Sequence, residues 1–204
     1  MSMLKVNLDL VKKYNVAGPR YTSYPPATKF TEAVRWPEVS ELIDRDRESE
    51  RPLSLYFHVP FCETLCWYCG CTTVITLNHA QGALYVDSLC KERALVAGRL
   101  NPRRQVVQVH WGGGSPTFLA PEEIRALGRG MRRHFAFAEE VEASVEVDPR
   151  RLTRDHITAL REAGFNRASI GVQDFDPKVM EAVHRIQPRE LTDQVLGWIR
   201  ESGF

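Results

Sequence analysis

Cys62-Glu63-Thr64-Leu65-Cys66-Trp67-Tyr68-Cys69 sets three thiols at C-x3-C-x2-C spacing directly after a strand-like run, and Gly70-Cys71 adds a fourth. Thiolates gathered this closely bind metal. A cubane iron–sulfur cluster held by three thiolates leaves one iron without a protein ligand, free to bind and activate a small molecule. The alternative is structural zinc, with Cys71 as fourth ligand. Cys69 and Cys71 flank a single glycine, an awkward separation for two arms of a tetrahedron, so the cluster is the favoured reading. Cys71 is then either a reactive thiol near a substrate or a small buried residue. Cys90 falls on an expected helix and reads as packing.

Other residues with chemistry to offer sit in three further stretches. Gly112-Gly113-Gly114-Ser115 follows the apolar run Val106–Trp111. Glu146 and Asp148 close an alternating run from Val141 to Val147. Gln173 and Asp174 close Ala168–Asp174. Each stretch ends a predicted strand, as the cysteines end the strand Leu53–Val59. Between the strands lie predicted helices: Ala83–Ala97, one from Pro121, one marked by Ile157 and Leu160 and stopped by Gly164, and one capped by Asp176-Pro177. Strands alternating with helices imply parallel βα repeats, in which chemistry collects at the C-terminal strand ends. Four independent stretches of unusual residues fall there.

A chain of 204 residues with five cysteines, four of them within ten positions, is not a disulfide framework. Its formal net charge of +1 gives no reason to expect nucleic acid or an acidic membrane as partner. No run approaches the roughly 20 apolar residues of a membrane span. The first residues turn polar too early for a secretory signal, so a cytoplasmic location is expected. Residues 1–52 read as an extension containing the extended Pro19–Pro26 segment and a short helix over 36–48, and residues 53–204 as the βα region. Glu201-Ser202-Gly203-Phe204 repeats the helix-to-strand transition of Glu162-Ala163-Gly164-Phe165, so a fifth strand is expected and the chain reads as a fragment.

With these stretches assembled, the chain resembles the radical S-adenosylmethionine enzymes, and among them the oxygen-independent coproporphyrinogen III oxidases. The resemblance rests on Pro19–Pro25, Tyr56–Cys62, Cys69-Gly70-Cys71, His110–Thr117, Val145–Arg150 and Gly171–Phe175. It implies the first part of a partial (βα)6, TIM-like barrel and a 4Fe–4S cluster on Cys62, Cys66 and Cys69. It also implies two S-adenosylmethionine molecules, the first near Tyr56, Gly113 and Glu146, the second near Tyr68, Gly114, Ser115, Gln173 and Arg185. The implied reaction is oxidative decarboxylation of coproporphyrinogen III to protoporphyrinogen IX, a 5′-deoxyadenosyl radical taking a propionate hydrogen. Electrons would come from a flavodoxin- or ferredoxin-type donor, and the full-length protein would be a monomer. Gly-Gly-Ser stands where many radical enzymes carry Gly-Gly-Glu.

Tyr56, His58 and Cys71 are the candidate catalytic residues. His58 reads either as a satisfied core histidine or as a group that moves protons or tunes the cluster. His110 reads as structural, Arg185 as a helix residue drawn in only by the resemblance, and Arg20 as a partner for a propionate or a solvated cation. Two rival readings stay open: a haem chaperone that carries the cluster without decarboxylation, and a non-catalytic fragment.

Overall fold

The computed structural model describes residues 7–15, 26 and 29–204. The extended segment expected at Pro19–Pro25, with Arg20, lies outside the described residues. The chain divides into two compact units, Met1–Glu41 and Leu42–Phe204, where the sequence suggests a boundary near residue 52. In the first, α1 (Leu8–Tyr14) is capped by Asn7, whose Oδ1 accepts from the amides of Asp9 and Leu10. The helix α2 (Trp36–Arg45) starts there.

The second unit runs β1 (Leu53–Val59), β2 (Phe61–Cys62), β3 (Val74–Ile75), α3 (Ala80–Ala97), β4 (Gln105–Gly113), α4 (Pro121–His134), β5 (Ala136–Val147), α5 (Arg154–Ala163), β6 (Arg167–Ile170), α6 (Pro177–Ala182) and α7 (Arg189–Glu201). Among the described residues β1, β4, β5 and β6 form one sheet in that order, and every neighbouring pair is parallel. The fold is thus the parallel α/β arrangement expected. Several bounds differ. Helix α3 begins at Ala80 rather than Ala83, β5 begins at Ala136 rather than Val141, and β6 stops at Ile170, leaving Gly171–Asp174 as loop.

Alternation decides the two faces of the sheet. Phe57, Val59, Val109, Trp111, Ala143, Val145 and Val147 point to one side and are buried. There they meet Val86 of α3, Ile124, Leu127 and Met131 of α4, Ile157 and Leu160 of α5, and Val195 and Ile199 of α7. Trp111 and Phe165 are both fully buried and pack edge to face at 4.8 Å; burial of each such side chain contributes about 1.5–3 kcal/mol. The other face carries Ser54, Tyr56 and His58 of β1, Gln108 and His110 of β4, Glu142, Ser144 and Glu146 of β5, and Arg167 and Ser169 of β6. A sheet covered by helices on both faces would be apolar on both. This one is polar on one side, so only one face is covered by the described helices.

Helix ends follow their sequence signals. Thr153 Oγ1 accepts from the His156 amide at the start of α5. At its end Gly164 takes φ +98°, and the amides of Gly164 and Phe165 donate to the carbonyls of Arg161 and Leu160. Among the described residues no helix is long and apolar enough to cross a membrane.

Helices α4 and α5 touch through Gly128, where an added Cβ would lie 2.5 Å from the Ala163 Cβ and 2.9 Å from its Cα. Gly128→Val is therefore expected to destabilise the protein by about 1–3 kcal/mol in urea unfolding. Gly197→Ala in α7, where nothing lies within 4 Å, is expected to stabilise it by about 0.5–1 kcal/mol.

Candidate active site at the C-terminal strand ends

The site begins where β1 and β4 run out of regular pairing but continue to bond. The amides of Gly114 and Ser115 donate to the carbonyls of Val59 and Phe61, each at 2.8 Å. An added Cβ at Gly114 would sit 2.6 Å from the Pro60 carbonyl oxygen. Gly113 takes φ +120°, and its Cβ would meet His58 Cε1 at 2.7 Å. Protein packing alone therefore requires glycine at both positions. The Gly114 and Ser115 amides are already spent, while the Gly113 amide donates to Glu146 Oε2 at 3.3 Å.

The cysteines occupy the loop between β2 and β3. That short ribbon, with Phe61 beside Val74 and Cys62 beside Ile75, closes the loop. Three further ties hold it. The Trp67 amide donates to the Val183 carbonyl at 3.0 Å. His184 Nδ1–H donates to the Leu65 carbonyl at 2.8 Å, and its ring stacks on Trp67 at 5.3 Å. Glu63 bridges His79 at 3.1 Å and Arg151 at 2.7 Å. His184 and Gln173 both hold left-handed backbone, with φ of +55° and +65°, a conformation uncommon outside glycine and found at sites that surrounding structure over-determines.

Most of the residues singled out from sequence line one cavity of about 290 Å³. Cys62, Cys66, Cys69, Cys71, Tyr68, Gly113, Gly114, Ser115, Glu146, Gln173 and Arg185 meet there, with Asp148 and Arg150 beside them. Tyr56 and His58 lie on the polar face of β1 next to it. The Tyr56 hydroxyl donates to His58 Nδ1 at 3.0 Å, because His58 Nε2–H is committed to the Thr72 carbonyl at 3.0 Å. His58 thus ties the sheet to the end of the cysteine loop.

His110, read from sequence as structural, belongs to the site. Its ring stacks on Tyr56 at 5.8 Å, Nδ1 lies 2.6 Å from Ser144 Oγ, and Nε2 lies 3.4 Å from Glu146 Oε1. Arg185 is corrected in the other direction: it lies on the loop between α6 and α7, not on a helix. Its donors turn inward, Nε to Gln187 Oε1, Nη2 to the Gly171 carbonyl and Nη1 to Cys66 Sγ. Cys71 is exposed, which removes its reading as a small buried residue.

Charge around the sulfurs is uneven. Burial pushes the Cys62 thiol up to about 11, helped by the Asp148 carboxylate and by Cys69 and Cys66, with Arg150 opposing. Burial also raises the Asp148 carboxyl, but the guanidiniums of Arg150 and Arg185 outweigh it and hold the group below its ordinary value. Partial desolvation and a hydrogen bond with Cys69 raise the Cys71 thiol.

This donor set fits an iron–sulfur cluster. Four free thiols line the cavity, and three of them, Cys62, Cys66 and Cys69, carry the C-x3-C-x2-C spacing with differing exposure.

Comparison with known proteins agrees. The model of the Radical SAM superfamily matches residues 56–204. The oxygen-independent coproporphyrinogen III oxidase of Synechocystis sp. is 41% identical over 201 residues, covering 98% of this chain and 43% of that protein. The Escherichia coli oxidase is 43% identical over 206 residues, covering 100% and 44%. The solved structure of coproporphyrinogen III oxidase from Escherichia coli, described as a radical SAM enzyme, superposes with a TM-score of 0.85 at 40% identity, covering 100% of this chain and 44% of that one. The chain spans less than half the length of these relatives.

Gly114→Ala forces a methyl against the Pro60 and Phe61 carbonyls and should open the bonds that seat the cysteine loop. Iron bound after anaerobic reconstitution is expected to fall several-fold, on the order of what a misplaced ligand costs. Gly70→Ala, in the same loop with nothing within 4 Å, should load iron as the parent does.

Proposed function

We propose that this chain, which belongs to the radical SAM superfamily, forms the cofactor-binding part of an oxygen-independent coproporphyrinogen III oxidase. The observation that carries this reading is the gathering of Cys62, Cys66 and Cys69 with Gly113, Glu146, Gln173 and Arg185 around one cavity at the strand ends. The chain also aligns end to end with part of those oxidases.

When bound, the cluster and S-adenosylmethionine supply one-electron reduction and a hydrogen-atom acceptor. The chain's residues divide the remaining tasks. Cys62, Cys66 and Cys69 hold the cluster as thiolates, so loading releases protons, Cys62's from a thiol that burial has made a weak acid. Glu146 is fixed by the Gly113 amide and faced by His110. Its remaining lone pairs are free to accept from ribose hydroxyls of a first S-adenosylmethionine. Tyr56, stacked on His110, forms the wall beside that carboxylate.

Tyr68, Gly114, Ser115, Gln173 and Arg185 are assigned to a second S-adenosylmethionine. Because three of its five N–H donors go to Gln187, Gly171 and Cys66, Arg185 acts on that ligand's carboxylate chiefly through its charge. Cys71 stands exposed beside Cys69. We assign it to the rim that would face the substrate.

The substrate is coproporphyrinogen III. Each of two propionates would give one hydrogen atom to the S-adenosylmethionine-derived acceptor, one electron to a separate one-electron acceptor, and carbon dioxide, becoming a vinyl group and giving protoporphyrinogen IX. A flavodoxin- or ferredoxin-type protein is the proposed donor, and the full-length protein a cytoplasmic monomer.

Anaerobic reconstitution tests this directly. Protein extended to the relatives' full length should bind about four iron atoms per chain, turn brown, cleave S-adenosylmethionine under dithionite, and form divinyl product. Cys66→Ser should lose iron and both activities. Cys71→Ser should keep iron and S-adenosylmethionine cleavage but lower vinyl formation by roughly 10²-fold or more, the scale of a lost positioned side chain. Stoichiometric haem transfer without vinyl product would instead identify a chaperone, and colourless protein holding zinc would overturn the cluster.

A further inference from the structure

The three thiols do not stand in equivalent surroundings. Cys66 is the buried one, and two guanidiniums reach it: Arg150 Nη2–H and Arg185 Nη1–H each donate to its Sγ at 3.7 Å. Neither arm is loose. Arg150 is bound to Asp148 through Nε, at 2.9 Å to Oδ1 and 3.1 Å to Oδ2, and through Nη2 at 2.5 Å to Oδ2. Its backbone amide donates to the same carboxylate at 3.1 Å. Arg185 approaches Asp148 at 3.6 Å. The side chains of Asp148, Arg150 and Arg185 are only 17%, 16% and 10% exposed, so water screens these charges little. One carboxylate and two guanidiniums leave an excess of one positive charge behind a single sulfur.

We propose that Asp148 and Arg150 are positioning residues for the cluster's electronics: Arg150 raises the reduction potential through an N–H···S bond and a fixed positive charge at Cys66, and Asp148 holds the guanidinium in place while moderating that charge. The proposal rests on the cluster reading above. Reduction adds an electron, so a nearby cation favours the reduced form and an anion disfavours it. Arginine suits the task because its fork can clamp Asp148 and still spare an N–H for sulfur, and because it does not deprotonate. Arg185 already has a family assignment to a cofactor; Arg150 and Asp148 have none, and the Asp-Pro-Arg turn brings them together within two residues.

The test is potentiometry of the reconstituted full-length protein, with reduction followed by bleaching near the visible cluster band and by electron paramagnetic resonance, and with iron counted per chain. Arg150→Gln removes the charge and should shift the midpoint potential downward. Asp148→Asn keeps an oxygen for the guanidinium but removes the carboxylate charge, and should shift it upward. Arg150→Lys keeps the charge without the fork and should fall between Arg150→Gln and the parent. Opposite shifts in the first two variants, at parental iron content, are the expected result. A role in holding the loop alone would change iron content or melting temperature in both and leave the potential where it was. Potentials unchanged at full iron content, shifts of the same sign, or loss of iron in both variants while the parent loads normally would each overturn the proposal. A parent that binds no iron would refute the cluster reading instead, and the iron count separates the two failures.

Discussion

Two backbone bonds, from the amides of Gly114 and Ser115 to the carbonyls of Val59 and Phe61, decide where the cysteine loop starts. They extend the pairing of β1 with β4 beyond the end of both strands. That extension brings two backbones closer than any side chain permits. Pro60 lies under Gly114, and His58 lies against Gly113. Because β2 begins inside this contact, Cys62 is delivered to the cavity by the rigid sheet. The rest of the loop then hangs from the β2–β3 ribbon, from Thr72 on His58, and from Leu65 and Trp67 on the turn after α6. A loop built this way is fixed at both ends, and the proposed ligand set would gain from it the positional tolerance its chemistry needs.

The same sheet explains the distribution of polarity. Its helix-covered face holds the core, and its open face holds side chains that largely satisfy one another. Ser54 donates to Gln108 at 2.9 Å, His110 meets Ser144, and Arg167 pairs with Glu142 at 2.5 Å. The register brings most of these together: Ser54 stands beside Gln108, His110 beside Ser144, and Tyr56 beside His110, while Arg167, beside Ser144, reaches Glu142 diagonally. Tyr56, His110 and Glu146 therefore form a continuous path from the edge strand to the Gly113 amide, though they are 54 and 36 residues apart in order along the chain.

Most of this fold could be read before any coordinates, because its signals are local. Leu53–Val59 is bracketed by prolines and alternates in polarity, and its bounds match the structure. Gly164 stops α5 by adopting the left-handed conformation that glycine tolerates. Features set by tertiary contact were harder to see. The start of β5, Ala136–Glu140, carries no strand alternation and is held by pairing with Gln105 and Val106. The β2–β3 ribbon is too short to have a period. Helix α6 ends at Ala182, so Arg185 falls on loop that no composition signal marks. His110 was legible in principle: counting the alternation of β1, β4 and β5 puts it on the face of Tyr56 and Glu146. Asp148 and Arg150 also gave a signal, since an Asp two residues before an Arg at a strand end can close on itself, but only the folded chain shows Cys66 behind them.

The open face and the sulfur end make different electrostatic demands on the proposed tetracarboxylate substrate. Glu142 is neutralised by Arg167, and Glu146 is engaged by the Gly113 amide and faced by His110. The strands thus offer an anionic substrate neither strong repulsion nor a strong grip. The cavity's two guanidiniums, Arg150 and Arg185, are instead turned toward Cys66. Cations aimed at a thiolate are poorly placed to hold propionates as well. On the proposed reading, the sheet and its strand-end loops serve the cofactors rather than grip the substrate's carboxylates. This division of labour follows from Coulomb's law at short range: a buried guanidinium already bonded to a carboxylate and a sulfur has little left to offer a third anion.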